Sequence, residues 1–426
     1  AHKALGGKQP DTAFDASPEL AALLEHCASV LKRPKVLPSD HYFEIGGDSI
    51  QAILLVSKLL EAGYRLDLNE IFATPILGAL AQKISTRARS QAAATLPQAN
   101  GLLLSPMQSR FFDEVDEGRE NFTQALWMTT PDGLSANALE TLLTHWVQQH
   151  PELTKAWSLA ESKQQHREVV SKLAFQVDGT HAAVLSVDET EELLALQVRN
   201  AIDADNGPLV SAAYLPSRGK MLIAAHHLVV DTLSWQSLAT ELAGLYDDAL
   251  ASRALRQLTE TNSFAQFTQA LHSPKAMQKA EVEKPLWLAM SNTDGNVALV
   301  GKRSKVKASI PSWIEDAVLQ RGHKLYRTRS GELLLAAFFE ALAAIRQTPR
   351  VSLLMESNGR TQSFVEADFS NTVGWMTSAY PISVTLEEDK EGQKNWPAII
   401  EKVRDTAQRI SDQGLGFRYF ARNSQR

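Results

Sequence analysis

The chain has 426 residues, of which 44% are hydrophobic and 22% charged, the balance of a water-soluble globular protein with two or three domains. Lysine and arginine number 43 against 49 acidic residues, and a formal charge of −6 with no dense basic run excludes a nucleic-acid partner from the expectations. Cys27 is the one cysteine, which excludes a disulfide framework and fits a reducing, cytoplasmic setting; no long apolar run or signal-peptide pattern points to a membrane.

The first 86 residues read as a small four-helix unit. Leu20, Leu23, Leu24, Cys27, Val30 and Leu31 fall on one helical stripe, with Cys27 as core filler. Pro34 and Pro38 punctuate the loop that follows. A second helix is predicted from Ser49 to about Gly63, and shorter ones around Leu68–Phe72 and Ile76–Ile84. Residues 87–100 have few large apolar groups and read as a linker. Beyond them, predicted helices (Ala136–Gln149, Glu191–Ile202, Leu233–Leu250) alternate with predicted strands (Ala182–Val187, Leu209–Leu215, Met221–Ala225). A charged stretch over Pro274–Glu283 reads as a crossing between lobes 101–280 and 281–426. The second lobe repeats the mixture, with strands at Val306–Ile310 and Val351–Met355 and helices at Glu332–Ile345 and Ala398–Ile410, so two α/β lobes are expected.

Two stretches carry chemistry. In Phe43-Glu44-Ile45-Gly46-Gly47-Asp48-Ser49-Ile50, Asp48 suits an N-cap with Gln51 at N3, which leaves Ser49 exposed in a first helical turn beside two glycines. A phosphodiester on that serine would gain from the helix N-terminus. The stretch resembles the Gly-Gly-x-Ser motif of peptidyl carrier domains of nonribosomal peptide synthetases. The resemblance implies that Ser49 carries a 4′-phosphopantetheine arm. An Asp before that serine is, in this family, typical of carriers that serve an epimerization domain.

The second stretch is His226-His227-Leu228-Val229-Val230-Asp231-Thr232-Leu233-Ser234-Trp235, where an apolar strand runs into two histidines and then a helix. Read plainly, the histidines sit at a core edge and Asp231 caps the helix. Adjacent histidines on a strand point to opposite faces, and no third ligand stands at metal-site spacing, so a metal is not expected. The stretch resembles the His-His-x-x-x-Asp-x-x-Ser-Trp signature that condensation and epimerization domains share, its Ser-Trp ending leaning to epimerization. Further motifs follow in the family's order: Leu104-Ser105-Pro106-Met107-Gln108, Asp203 with Gly207-Pro208-Leu209, Glu332–Ala337, Met355-Glu356-Ser357-Asn358-Gly359-Arg360, Thr372-Val373-Gly374-Trp375-Met376-Thr377 with Tyr380-Pro381, and Gly414-Leu415-Gly416-Phe417. Thr232 stands where the family commonly has Gly, Ser357-Asn358 where it has Gly-His, and Asn371 where Arg is common.

The resemblance implies a carrier bundle followed by a two-lobed chloramphenicol-acetyltransferase-like α/β domain with a tunnel between its lobes. It implies inversion of the Cα of an aminoacyl or peptidyl thioester, with His227 and Glu356 as the two acid/base groups, since inversion needs proton removal on one face and delivery on the other. Asp231 is expected to hold the loop through a salt bridge, and His226, Trp235 and Tyr380 to shape the site. Glu356 pairing with Arg360 is the plain alternative for that carboxylate. Neither metal nor pyridoxal phosphate is called for. The implied partners are an upstream adenylation domain, a downstream condensation domain and a phosphopantetheinyl transferase. The alternatives are a peptide-bond-forming condensation domain, which would use the same second histidine and an acceptor carrier, and a non-catalytic docking pair.

Overall fold

A computed structural model of the chain describes residues 17–43, 45–47, 51–52, 55–56, 58–59, 62–66, 70–71, 74–86, 103–154, 156–157, 166–167, 174–177, 187–258, 262–291, 306–326, 328, 330–361, 367–386 and 394–419. The chain divides into two units, Ala1–Ala94 with Ser312–Arg321 and Thr95–Pro311 with Gly322–Arg426.

In the first unit, Ser17 accepts a hydrogen bond from the Leu20 N–H at 3.2 Å and caps α1 (Pro18–Val30), and Pro18 stands where its missing N–H leaves no intrahelical bond unmade. Leu20, Leu23 and Cys27 turn inward at helical spacing, and they meet Ala52, Leu55 and Leu59 from the helical residues between 51 and 59. Leu77 and Leu80 of α2 (Leu77–Ala81) close the same core. Cys27 has no exposed surface, and burial, helped by the nearby Asp40 charge, pushes its thiol up to about 12. It is a core filler. Two short strands, β1 (Tyr64–Arg65) and β2 (Ser85–Thr86), pair antiparallel. They escape sequence reading because two residues leave no alternation to detect.

In the second unit, α3 (Pro106–Glu114) precedes β3 (Thr123–Thr129), α4 (Ala136–Gln148), β4 (Ala174–Val177), α5 (Val187–Asn200), β5 (Val210–Leu215), β6 (Lys220–His226) and α6 (Thr232–Leu250). The strands order β3-β6-β5-β4, antiparallel except for the parallel β4–β5 pair. Central β6 shows why an unbroken apolar run is a strand covered on both faces. Met221, Ile223 and Ala225 enter the core made with Leu139, Leu142 and Trp146 of α4 and Leu238 and Leu242 of α6, whereas Leu222 and Ala224 meet Leu194 and Val198 of α5. Each such leucine removed from water is worth roughly 1.5–3 kcal/mol.

Further along stand α7 (Phe264–Leu271), α8 (Pro274–Ser291), α9 (Ser330–Arg346), the antiparallel strands β7 (Arg350–Ser357) and β8 (Ser378–Thr385), and α10 (Trp396–Gln408). Ala336 and Phe339 of α9 and Ile399 and Val403 of α10 pack on Val351, Ile382 and Val384 of the strand pair.

The structure departs from expectation in places. The charged stretch Pro274–Glu283, read as a crossing between lobes, forms the first half of α8, and the buried residues of that half are small (Ala276, Ala280), so its apolar stripe is faint. The expected lobe boundary at residue 280 therefore falls inside a helix. Val306–Ile310 takes no strand structure, and Val306 is 89% exposed. In β7, Val351 is buried but Leu354 is 50% exposed, so the run is one-faced, not fully buried. Residues 182–186, 48–50 and 87–100, on which the first expected strand, the Ser49 helix start and the linker fall, lie outside the described residues.

Candidate active site

The loop after β6 is pinned from three sides. The His227 N–H donates to the Phe122 carbonyl at 2.8 Å, extending the β3–β6 ladder by one bond. The Gln108 side chain donates from Nε2 to the Leu228 carbonyl at 2.8 Å, while its Oε1 accepts from the Ser105 N–H in a capping box that opens α3. Asp231 caps α6 by accepting from the Ser234 N–H at 2.8 Å. Leu228, Val229 and Val230 between these anchors are buried. The backbone around the two histidines is therefore held before any substrate arrives.

His226 and His227 make unlike contacts. His226 has no exposed surface; its Nε2–H donates to the Arg119 carbonyl at 2.9 Å, and its Nδ1 accepts from the Leu228 N–H at 3.2 Å. Burial lowers its pKa to about 4, with the neighbouring His227 adding in the same direction. It braces the loop as a neutral ring. His227 instead lies between aromatic rings, stacked on Phe122 at 5.2 Å between centroids and beside Trp375 at 4.4 Å. Its Nε2 is 2.7 Å from Nε2 of Gln124, and Oε1 of Gln124 accepts from the Trp235 indole N–H at 2.9 Å. Burial lowers the His227 pKa, against the pull of its own and the Val230 carbonyls and the charges of Asp231 and Glu356. The ring is thus biased toward its proton-accepting form.

Asp231 and Arg360 tie the two halves of this unit together. Arg360 donates from both terminal nitrogens to the carboxylate at 2.8 and 3.0 Å, with side chains only 4% and 3% exposed. The Met376 N–H donates to the same carboxylate at 3.0 Å, and the Ser234 hydroxyl at 2.8 Å. Burial alone would raise the Asp231 pKa, but the Arg360 charge and these hydrogen bonds hold it below the ordinary carboxylate value. Arg360 is aimed by a turn in which its N–H donates to Asn358 Oδ1 at 2.9 Å. At Gly359, φ is +69° and a Cβ would run into the Met376 carbonyl, so no other residue fits. Asn358 thus has a structural use where the family has His, and Ser357 donates to the Gln413 carbonyl at 2.7 Å. Thr232, standing for the family's Gly, is the exposed first residue of α6, where helical backbone needs no glycine.

Glu356 lies on β7 opposite Ala379 of β8 and is exposed, and among the described residues its carboxylate makes no hydrogen bond or ion pair. Arg360 is committed to Asp231, which removes the plain alternative of a Glu356–Arg360 pair. Tyr380 pairs with Met355, one residue along from Glu356, and strand alternation puts it on the other face of the ladder. There its ring lies 6.1 Å from that of Trp287 and packs against Gly414. The structure links His227 to Trp235 through Gln124 and sets Asp231 in the same loop; Glu356 acts on the ring only through its charge, and the described contacts of Tyr380 are packing. Phe122, Gln124 and the ring-stacking role of Trp375 escape sequence reading, since the Gln124–His227 contact spans 103 residues and no local pattern marks it.

In the first unit, Ser49 and Asp48 lie outside the described residues, but the loop leading to them is described. Gly46 has φ of +98°, and at Gly47 a Cβ would collide with the Tyr42 ring, so both glycines are required by the local geometry. This close-packed glycine turn immediately precedes Asp48 and Ser49 in the chain. Among the described residues, no group of three or more His, Cys, Asp or Glu is arranged to hold a metal ion, and no helix is long and apolar enough to cross a membrane.

Comparison with known proteins matches residues 98–426 to the family described as Condensation domain and residues 21–84 to the Phosphopantetheine attachment site. 4′-Phosphopantetheine is accordingly the covalent cofactor of the first unit. Bacitracin synthase 2 of Bacillus licheniformis is 25% identical over 403 residues, covering 91% of this chain and 15% of its own length. Bacitracin synthase 1 of the same organism is 27% identical over 395 residues, covering 89% of this chain and 7% of its own length. This chain therefore spans a small fraction of these relatives. Among solved structures, the epimerization domain from the third module of tyrocidine synthetase B superposes with a TM-score of 0.63 at 22% identity, covering 77% of both chains. The first condensation domain of the calcium-dependent antibiotic synthetase does so with a TM-score of 0.58 at 14% identity, covering 75% of both. These likenesses show the fold.

Proposed function

The chain belongs to the condensation-domain family, and within that family we propose that it inverts the Cα of an aminoacyl or peptidyl thioester held on Ser49 of its own carrier unit. What supports this reading is that His227 follows β6 and Glu356 lies on β7, in two different halves of the larger unit, and that the negative charge of Glu356 favours protonation of the His227 ring. Peptide-bond formation calls for a single base; inversion calls for two proton-handling groups, one per face.

The loaded phosphopantetheine thiol supplies a thioester, whose α-proton is more acidic than that of an ester or amide. One of His227 Nε2 and a Glu356 oxygen, in its basic form, receives the Cα proton; the other, having first taken a proton from solvent, delivers it to the opposite face, and proton exchange with water resets both groups. The electron pair of the broken C–H bond stays with the substrate's thioester group and forms the new C–H bond, so nothing is oxidised or reduced. Asp231 and Arg360 fix the loop that carries His227. We further propose that an adenylation domain loads the carrier, a phosphopantetheinyl transferase installs the arm on Ser49, and a condensation domain takes the product.

The test uses carrier loaded separately with L- and D-aminoacyl pantetheine by a phosphopantetheinyl transferase, followed by chiral analysis of the released acid. Both starting points should converge on one mixture, and Ser49→Ala should accept no arm. Retention of the loaded configuration from both starts would overturn the reading. The family's namesake reaction, condensation, would instead show as an amide formed only when an acceptor amine is added.

A further inference from the structure

We propose that Gln124 is a positioning residue that holds the His227 imidazole with its proton on Nδ1 by donating to the Nε2 lone pair, and that Trp235 sets the direction in which Gln124 does so. The inference rests on His227 being a proton acceptor in the proposed reaction, although its first readout needs no turnover.

The chain of hydrogen bonds has one consistent orientation. An indole N–H donates only, so the oxygen of the Gln124 amide must face Trp235, where it lies 2.9 Å from Nε1. The amide nitrogen is then forced toward His227 and, having only hydrogens to offer, meets Nε2 of the ring at 2.7 Å as a donor. Nε2 must accept, which leaves the neutral ring's one proton on Nδ1. The other side of the ring agrees. Nδ1 is buried and makes no hydrogen bond of standard geometry among the described residues, and the backbone of His227 and Val230 favours the protonated ring, so no donor competes for Nδ1 there.

The same donor makes imidazolium unwelcome, because a proton on Nε2 would point at the Gln124 N–H. Because Nε2 has one lone pair, the Gln124 amide must swing off it, turning about its Trp235 bond, before Nε2 can take a proton; the bond re-forms when the proton leaves. Gln124 therefore acts as a placeholder that satisfies the buried lone pair at rest. His226 has the opposite arrangement, with its proton on Nε2 toward the Arg119 carbonyl. Two adjacent histidines of one loop are thus held in opposite tautomers. The charged groups that reach His227 are Asp231, itself paired with Arg360, and Glu356. Gln124→Glu would add a third from β3.

The test is 15N chemical-shift analysis of the ring nitrogens in the full chain labelled at its 11 histidines, with His227 assigned by its loss in His227→Ala. The wild type should show His227 protonated on Nδ1. In Gln124→Glu the carboxylate accepts from the ring, so the proton should move to Nε2 and the pH of ring protonation should rise by about one unit or more. The acid limb of the α-proton exchange rate should rise with it. Trp235→Phe keeps an aromatic ring but frees the amide to flip, and should give a mixture of tautomers. A wild-type ring protonated on Nε2 would overturn the proposal, whether or not the variants fold. So would a Gln124→Glu chain that folds with an unmoved tautomer and protonation pH. Loss of exchange in a wild type with the expected tautomer would count against the epimerase reading and leave the tautomer assignment standing.

Discussion

The two sides of the candidate site are built to different standards. On the β6 side, His227 is held by a backbone bond to Phe122, two flanking rings and the Gln124–Trp235 relay, over a loop whose capping aspartate is locked to Arg360. On the β7 side, Glu356 is an exposed carboxylate on a two-stranded ladder, with no hydrogen-bond partner among the described residues. A base that must act on a weak carbon acid gains from being fixed in advance, and its pKa is tuned by burial. The carboxylate side shows no such bracing among the described residues. Precision is thus concentrated on the imidazole side.

The largest effects are expected at the two groups proposed to handle protons. His227→Ala should lower the inversion rate by about 10²–10⁴-fold, and Glu356→Gln by on the order of 10²-fold, read by chiral analysis on fully loaded carrier. A near-normal rate in Glu356→Gln would remove the second base and leave the β6 side acting alone.

Next in size is the ion pair beneath the loop. Arg360→Met leaves the Asp231 carboxylate buried without its cation, and loss of one partner of a buried pair costs about 3–5 kcal/mol, measurable by denaturant unfolding at neutral pH. The folded Asp231 pKa is depressed, so its contribution is present above the unfolded value of about 3.9 and is lost as pH falls through the folded value. In the variant, protonation relieves the orphaned charge. The stability gap between wild type and variant should therefore narrow on acidification; a gap that stays constant would show that Arg360 acts by packing alone.

His226 should produce a smaller, separately placed effect. Its folded pKa of about 4 lies below the unfolded value of about 6.5. The folded state binds fewer protons in that window, so stability is full above about pH 6.5 and falls as pH drops toward 4, by about 3 kcal/mol in all. His226→Asn should flatten this part of the pH–stability curve, and an unchanged slope would mean that the ring is not buried neutral. The smallest effect belongs to Tyr380→Phe. Its ring packs against Gly414 and lies near Trp287, on the face away from Glu356, so inversion should change less than about 3-fold and stability by under about 1 kcal/mol.

What is legible in the sequence follows from how local each feature is. The strand before His226, the Asp231 cap and α6 are contiguous, and reading them needs no tertiary knowledge. The salt-bridge role expected of Asp231 comes from the family resemblance, and its partner Arg360 stands 129 residues away, beyond any local pattern. Gln124 and Phe122 reach His227 only through the β3–β6 register, and Tyr380 misleads because its motif fixes its position in the chain but not the strand face on which it falls. α8 hides behind small inward residues, and exposed Val306 mimics a strand through composition alone. The glycine turn at Gly46-Gly47 is legible because glycine pairs have few structural uses.

Incorporation of solvent deuterium at the Cα of the amino acid on the loaded carrier, with no acceptor amine present, tests the central claim most directly. Deuterium uptake should keep step with loss of stereochemical purity in the wild type, and inversion should slow by on the order of 10²-fold or more in both His227→Ala and Glu356→Gln. No deuterium uptake by the wild type, together with amide formation once an acceptor is supplied, would contradict it and assign the site to condensation.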